Sequence, residues 1–261
     1  MGLGSLLLLP FIYKKLKIGG PDWKNIFLAA FLGTNVHLFF FFFGLEHTPA
    51  INASVLLATA PVFTLAFAHY VLKEKFSQKL IIGSILSLFG TIVIVGIPAF
   101  QLNLISTLGN LSLVACSLAW VGQEIFAKKS LKTNNPLVVA FYIMAIGAII
   151  FLPIAASELW THPNWYSNIS INGFLGLLYG IIVASFIANS LWEKGLSAMS
   201  AGEASLIFYL LPLFGIIFSI ILLHEKFNPI LVVGSIIILS GIILAEYHRK
   251  MHPLPDNHHK L

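Results

Sequence analysis

Apolar residues run along this chain in long stretches, and polar residues gather in the short gaps between them. A helix needs about 20 apolar residues to cross a hydrocarbon core of roughly 30 Å. Eight stretches reach that length, at 25–44, 50–72, 79–98, 105–127, 136–157, 171–192, 203–223 and 229–247. The gaps hold breaker residues, among them Gly19-Gly20-Pro21, Thr48-Pro49, Asn134-Asn135-Pro136 and His162-Pro163-Asn164. A ninth apolar run, Leu3 to Tyr13, has about half the length of a crossing. The pattern predicts an all-α integral membrane protein of about nine segments.

Composition rules out a water-soluble alternative. Of the residues, 58% are hydrophobic and 10% charged, where a soluble domain carries roughly a quarter charged. The net charge of +5 does not point to nucleic acid, because the lysines sit in clusters between apolar runs. With the loop of Lys14, Lys15, Lys17 and Lys24 placed in the cytoplasm, sides alternate and only Lys226 of the 15 basic residues falls outside. That bias predicts a multi-pass protein of the cell (inner or plasma) membrane with a cytoplasmic C-terminus. The loop from Leu159-Trp160 to Trp165-Tyr166 then lies outside, as an interfacial aromatic belt. Cys116 is the one cysteine, so no internal disulfide forms. The positive charges follow the first apolar run, unlike those of a cleaved signal.

Comparing the chain with itself shows a repeat. At an offset of 151, Gly44-Leu45 matches Gly195-Leu196, Ala53-Ser54 matches Ala204-Ser205, and Pro61 matches Pro212. Glu74-Lys75-Phe76 matches Glu225-Lys226-Phe227, Gly83-Ser84-Ile85 matches Gly234-Ser235-Ile236, and Gly90 matches Gly241. Roughly nineteen of about fifty aligned positions are identical, more than shared greasiness produces. Upstream, Phe27-Leu28 and Gly33 match Phe174-Leu175 and Gly180 at an offset of 147, so the second half carries extra residues there. Met1, Gly4 and Pro10 align with Met144, Gly147 and Pro153. The repeat unit has five helices, an odd number, so its copies are expected in opposite orientations, as in transporters with alternating access. By the same alignment the first half lacks its first helix and half of its second, about forty residues.

These residues resemble the EamA domain of the drug/metabolite transporter superfamily. The family's pattern is a small-residue pair, a proline about seven residues on, an acidic residue closing the helix, and then a glycine-spaced helix. It occurs here as Ala53-Ser54, Pro61, Glu74, Gly83, Gly90 and again as Ala204-Ser205, Pro212, Glu225, Gly234, Gly241. The usual glycine before the acidic residue is Lys73 in one copy and His224 in the other. The resemblance implies two inverted five-helix repeats, 1–98 (incomplete at its start) and 105–248, followed by a polar cytoplasmic tail, 249–261. It also implies a carrier that exports metabolites, amino acids or drugs, with lipid and a small-molecule solute as partners.

Polar or kinked positions within the spans are the candidate lining of a substrate cavity. Pro61 and Pro212, read as mid-helix, each remove a backbone hydrogen bond and kink their helices. Ser205, Tyr209 and Pro212 share one helical face, and Ser54 and Pro61 repeat it. Tyr209 is placed to bond either a substrate or a neighbouring helix. Trp120, Gln123 and Glu124 form another face; Glu124 is a candidate for proton coupling or for an i, i+4 pair with Lys128. His37, Tyr179, Asn189 and Trp192 complete the candidates; Asn189, Trp192 and Glu193 share one face at the cytoplasmic end and read either as a gate or, for Glu193 with Lys194, as an interfacial pair. Gly83, Gly90, Gly234 and Gly241 are assigned to close helix packing, between the repeats' last helices or between two copies in a homodimer.

No GxxxxGK[ST] loop and no HExxH cluster occurs, and His37, Glu124 and Glu193 lie on different helices. The residues therefore favour a secondary transporter over a pump or an intramembrane lipid-modifying enzyme, and call for no cofactor and no metal. A non-transporting truncated relic is the other reading. No Lys or Arg lies mid-span, which points to a neutral, zwitterionic or amphipathic solute.

Overall fold

The computed structural model describes residues 1–48, 53, 56–95, 104–161, 164, 169–211, 213–214 and 229–251. Ser54, Pro212, the Glu225 loop and the tail beyond Met251 lie outside them. Among the described residues every regular element is helical, as expected where a backbone must satisfy its own hydrogen bonds in lipid. The elements are α1 (Gly2–Ile12), α2 (Asp22–His47), α3 (Ala60–Leu72), α4 (Gln78–Val95) and α5 (Leu104–Leu131). They continue as α6 (Pro136–Thr161), α7 (Ile171–Ala198), α8 (Ala201–Ser205, extended by a 3₁₀ turn, Leu206–Tyr209) and α9 (Pro229–Met251). Four of these, α2, α5, α6 and α7, are long and apolar enough to cross a membrane.

The expected mid-helix kink at Pro61 is corrected. The chain turns at Ala58-Thr59, and α3 starts at Ala60 with Pro61 in its first turn. A proline is tolerated there, because a first-turn N–H has no acceptor within the helix. At the break, the carbonyl of Leu56 accepts from the Thr59 N–H at 3.3 Å, from Thr59 Oγ1 at 2.5 Å and from Ser117 Oγ of α5 at 3.2 Å. Among the described residues of that span, the proline marks a helix start and not a mid-helix kink.

Widened π-helical turns interrupt α2 at Phe31–Val36 and α7 at Gly180–Ala188, and a third closes α3 at Ala68–Leu72. The first two fall at equivalent places in the repeat, since Gly33 aligns with Gly180. From Gly33 to Gly44 is 44 − 33 = 11 residues; from Gly180 to Gly195 is 195 − 180 = 15. The surplus of four falls in the stretch that holds the longer π segment, nine residues against six. Displaced carbonyls there find side chains. Asn189 Nδ2 donates to the Ala184 and Ser185 carbonyls at 3.1 and 3.2 Å, and Ser190 Oγ donates to that of Phe186.

The helices form two compact units, each drawing on both halves of the sequence. The first comprises Met1–Leu38 and Gly122–Ala198. In it α1 packs on α6 through Leu8, Ile12, Val138, Ala140 and Met144. The Tyr142 hydroxyl donates to the Leu16 carbonyl at 2.9 Å, and Asp22 accepts from Thr133 and Asn134 at 2.6 and 2.8 Å.

The second unit comprises Phe39–Val121 and Met199–Leu261. Its centre is the antiparallel contact of α4 with α9. A methyl group on Gly90 would lie 2.9 Å from the Gly234 carbonyl oxygen, and one on Gly234 would lie 2.9 Å from that of Gly90. Gly83 and Gly241 meet each other's carbonyls in the same reciprocal way. Between the two glycine pairs, Ser87 Oγ donates to the Ile238 carbonyl at 3.1 Å. Only residues without a side chain allow backbones this close.

Candidate functional site

Of the membrane-length helices, α5 is the most enclosed and α7 the least: half of α5's most apolar window is buried, against 6% of α7's. The N-terminal part of α7 exposes Ile171, Phe174, Leu175 and Tyr179, a surface suited to lipid. Only Ser185, Glu193 and Leu196 of α7 are fully buried. Polar side chains inside the first unit therefore meet where α5, α2 and the end of α7 come together.

Gln123, on α5, is 3% exposed and lies against the bare backbone of Gly33, so that a Cβ there would overlap its amide. One residue back, Gly122 receives Leu32 of the same π segment. Asn35, on α2, donates weakly to the Gly147 carbonyl at 3.4 Å, and its own Oδ1 is buried without a hydrogen bond. His37 is half-buried just beyond.

Glu124 and Glu193 are both fully buried, at 0% and 2% exposure. The sequence places them on different helices, as the structure does, and offers Glu193 either as part of a gate or as an interfacial partner of Lys194. The structure corrects the interfacial reading. Glu193 faces inward while Lys194 is exposed, and Glu193 lies one turn before Leu196 on α7 as Glu124 lies one turn before Lys128 on α5. One turn further along, Lys128 Nζ donates to the Leu196 carbonyl at 2.6 Å, which fixes α5 beside α7. Neighbouring Asn189 is committed to the π carbonyls, and Trp192 is half-buried.

In the second unit the Tyr209 hydroxyl shares a hydrogen bond of 3.1 Å with Ser84 of α4, and the ring is fully buried. Of the two roles open to Tyr209, this is the bond to a neighbouring helix. Ser205 Oγ donates to the Gly202 carbonyl at 2.9 Å in its own helix. Trp120 stacks edge-on against Phe208 at 5.4 Å. Pro61 is buried beside the turn at Thr59. Glu74, the acidic residue of the repeated pattern, accepts from the N–H of Ala201 with both oxygens, at 3.2 and 3.1 Å, at the start of α8. A capping box between Ser200 and Glu203 completes that helix start. Among the described residues no three His, Cys, Asp or Glu side chains gather as a metal site.

Sequence reasoning missed three of the serines and threonines that line the close contacts: Thr34 against Gly147, Ser185 against Gly4, and Ser84 on α4. Their signal was small size at packing positions, which polarity alone does not separate from cavity lining.

A model of the EamA-like transporter family matches residues 1–96 and 107–247. An uncharacterized transporter of Clostridium kluyveri is 27% identical over 254 residues, spanning 93% of this chain and 79% of its own. One from Archaeoglobus fulgidus is 26% identical, over 93% of this chain and 84% of its own. The uncharacterized transporter YoaV of Bacillus subtilis is 24% identical, over 95% and 84%. A crystal structure superposes on 96% of this chain and 85% of its own, with a TM-score of 0.79 at 18% identity, a likeness of fold.

Proposed function

Because the chain belongs to the EamA-like transporter family, we propose that it is a secondary carrier, not an enzyme, exporting a small organic solute by alternating access between two inverted repeats. The observation that carries this reading is the contact of α4 with α9. Gly234 is the repeat partner of Gly83, Gly241 that of Gly90, and Ile238 that of Ser87, all at an offset of 151. Gly83 meets Gly241, Gly90 meets Gly234 and Ser87 bonds Ile238. Exchanging the repeats therefore maps the contact onto itself, as a two-fold axis across antiparallel helices does. Such an axis in the membrane plane makes inward- and outward-open states related structures.

The solute is neutral or zwitterionic on this reading, because no lysine or arginine lies mid-span. The cavity candidates are Gln123, Asn35 and His37 in the first unit and the Thr59 break with Trp120 in the second. Proton coupling belongs to Glu124. Transport is tested with the purified chain in lipid vesicles, loaded in turn with a panel of amino acids and other neutral or zwitterionic metabolites. Saturable exchange of at least one compound, above that of empty vesicles, is the expected result. Absence of exchange for every compound, in both directions and with or without a pH gradient, overturns the reading.

A further inference from the structure

The first unit holds two buried acids, Glu124 and Glu193. We propose that Glu124 and Glu193 form a single proton-binding site, holding one proton between their carboxylates when loaded. This deepens the carrier reading and rests on it. The two side chains come from different helices, and both are removed from solvent. The Lys128 contact with the Leu196 carbonyl holds those helices together one turn away. Glu193 Oε2 is buried and accepts no hydrogen bond. A buried carboxylate oxygen left so is costly. A proton on one acid supplies the missing donor: its O–H donates to the other carboxylate, and the pair carries one negative charge instead of two.

The surroundings suit this exchange. Lys128 supplies one positive charge on α5, so the loaded dyad and Lys128 sum to zero and the unloaded set to minus one. Lys194, next to Glu193, is exposed, and Lys129 lies over the Phe126 ring. The π segment of α7 carries no titratable group. On α6, which also packs on this end of α7, Tyr142 is bonded to Leu16 and Glu158 is exposed at the far end. From α2, His37 is the one titratable group near the middle of its span. A carrier whose site is neutral only when loaded moves its helices through lipid more easily in that state, which couples proton and solute.

The test uses the full chain in vesicles and the proton as probe. Infrared difference spectra taken across a pH titration report the C=O stretch of a protonated carboxyl. The wild type is expected to lose one such band in a single step. Glu124→Gln and Glu193→Gln should each abolish that step, and Glu158→Gln should leave it unchanged. Independent titration of the two acids, with one variant leaving the other's band intact, overturns the proposal. So does displacement of the band by sodium at constant pH, which marks a metal-cation site. In transport, Glu193→Gln should remove all stimulation by a pH gradient while solute exchange persists. Exchange that ignores both the gradient and the variant sinks the dyad's role but leaves the carrier standing. An intact one-proton step with no solute moved by any vesicle sinks the carrier alone.

Discussion

Lys73 holds a left-handed backbone, φ 60° and ψ 28°, at the end of α3. A side chain in that region costs about 1–2 kcal/mol, and glycine escapes the penalty. Lys73→Gly is therefore expected to stabilise the protein by about 1 kcal/mol, and Lys73→Val to destabilise it, measured by denaturant unfolding in detergent. The departure was legible in the sequence as a lysine where the repeated pattern has glycine, but its backbone was not. The turn delivers Glu74 to the first N–H of α8. Its charge there contributes about 0.3–1 kcal/mol, which Glu74→Gln should remove. Glu193 shows the opposite limit. A glutamate next to a lysine near a helix end reads as interfacial, and only the rotation of α7 decides which of the two is buried.

At the scale of elements, the repeat made the packing of α4 and α9 readable before any coordinates, because glycines recurred at the same spacing in both copies. Collisions at these positions are with backbone carbonyls, which cannot swing aside. Gly90→Val and Gly234→Val should each destabilise by on the order of 3 kcal/mol. The double variant should cost less than the sum, since the two side chains contend for one gap, and unfolding of the three variants checks this. The break before Pro61 was not readable. A proline in an apolar run fits a kinked continuous helix as well as a new helix start, and the choice rests on whether the preceding carbonyls find donors. Here Thr59 and Ser117 supply them. Likewise the four-residue surplus in the second half was visible, but the π segment that lies in the same stretch was not.

The whole molecule was legible chiefly through charge and hydropathy, which act over spans and not over single contacts. On the proposed topology, Lys15 and Lys132 are cytoplasmic and Trp160 is external. All three are exposed. With Cys116 replaced by Ala, single cysteines at Lys15 and Lys132 should be labelled by a membrane-impermeant reagent only after the membrane is opened. One at Trp160 should be labelled in intact cells; the reverse pattern would invert the proposed orientation. The Ser84–Tyr209 hydrogen bond has a consequence at this scale. Its image under the repeat would join Ser235 to Ala58, and alanine has no hydroxyl. Two identical repeats would leave the carrier equally content facing either way. On the proposed alternating-access cycle, a bond without a repeat image, worth about 1 kcal/mol, would bias the two orientations by roughly fivefold. Tyr209→Phe should shift cysteine labelling on the two sides toward equality by that factor. On that proposal the cycle has a preferred waiting side, chosen by one phenolic oxygen.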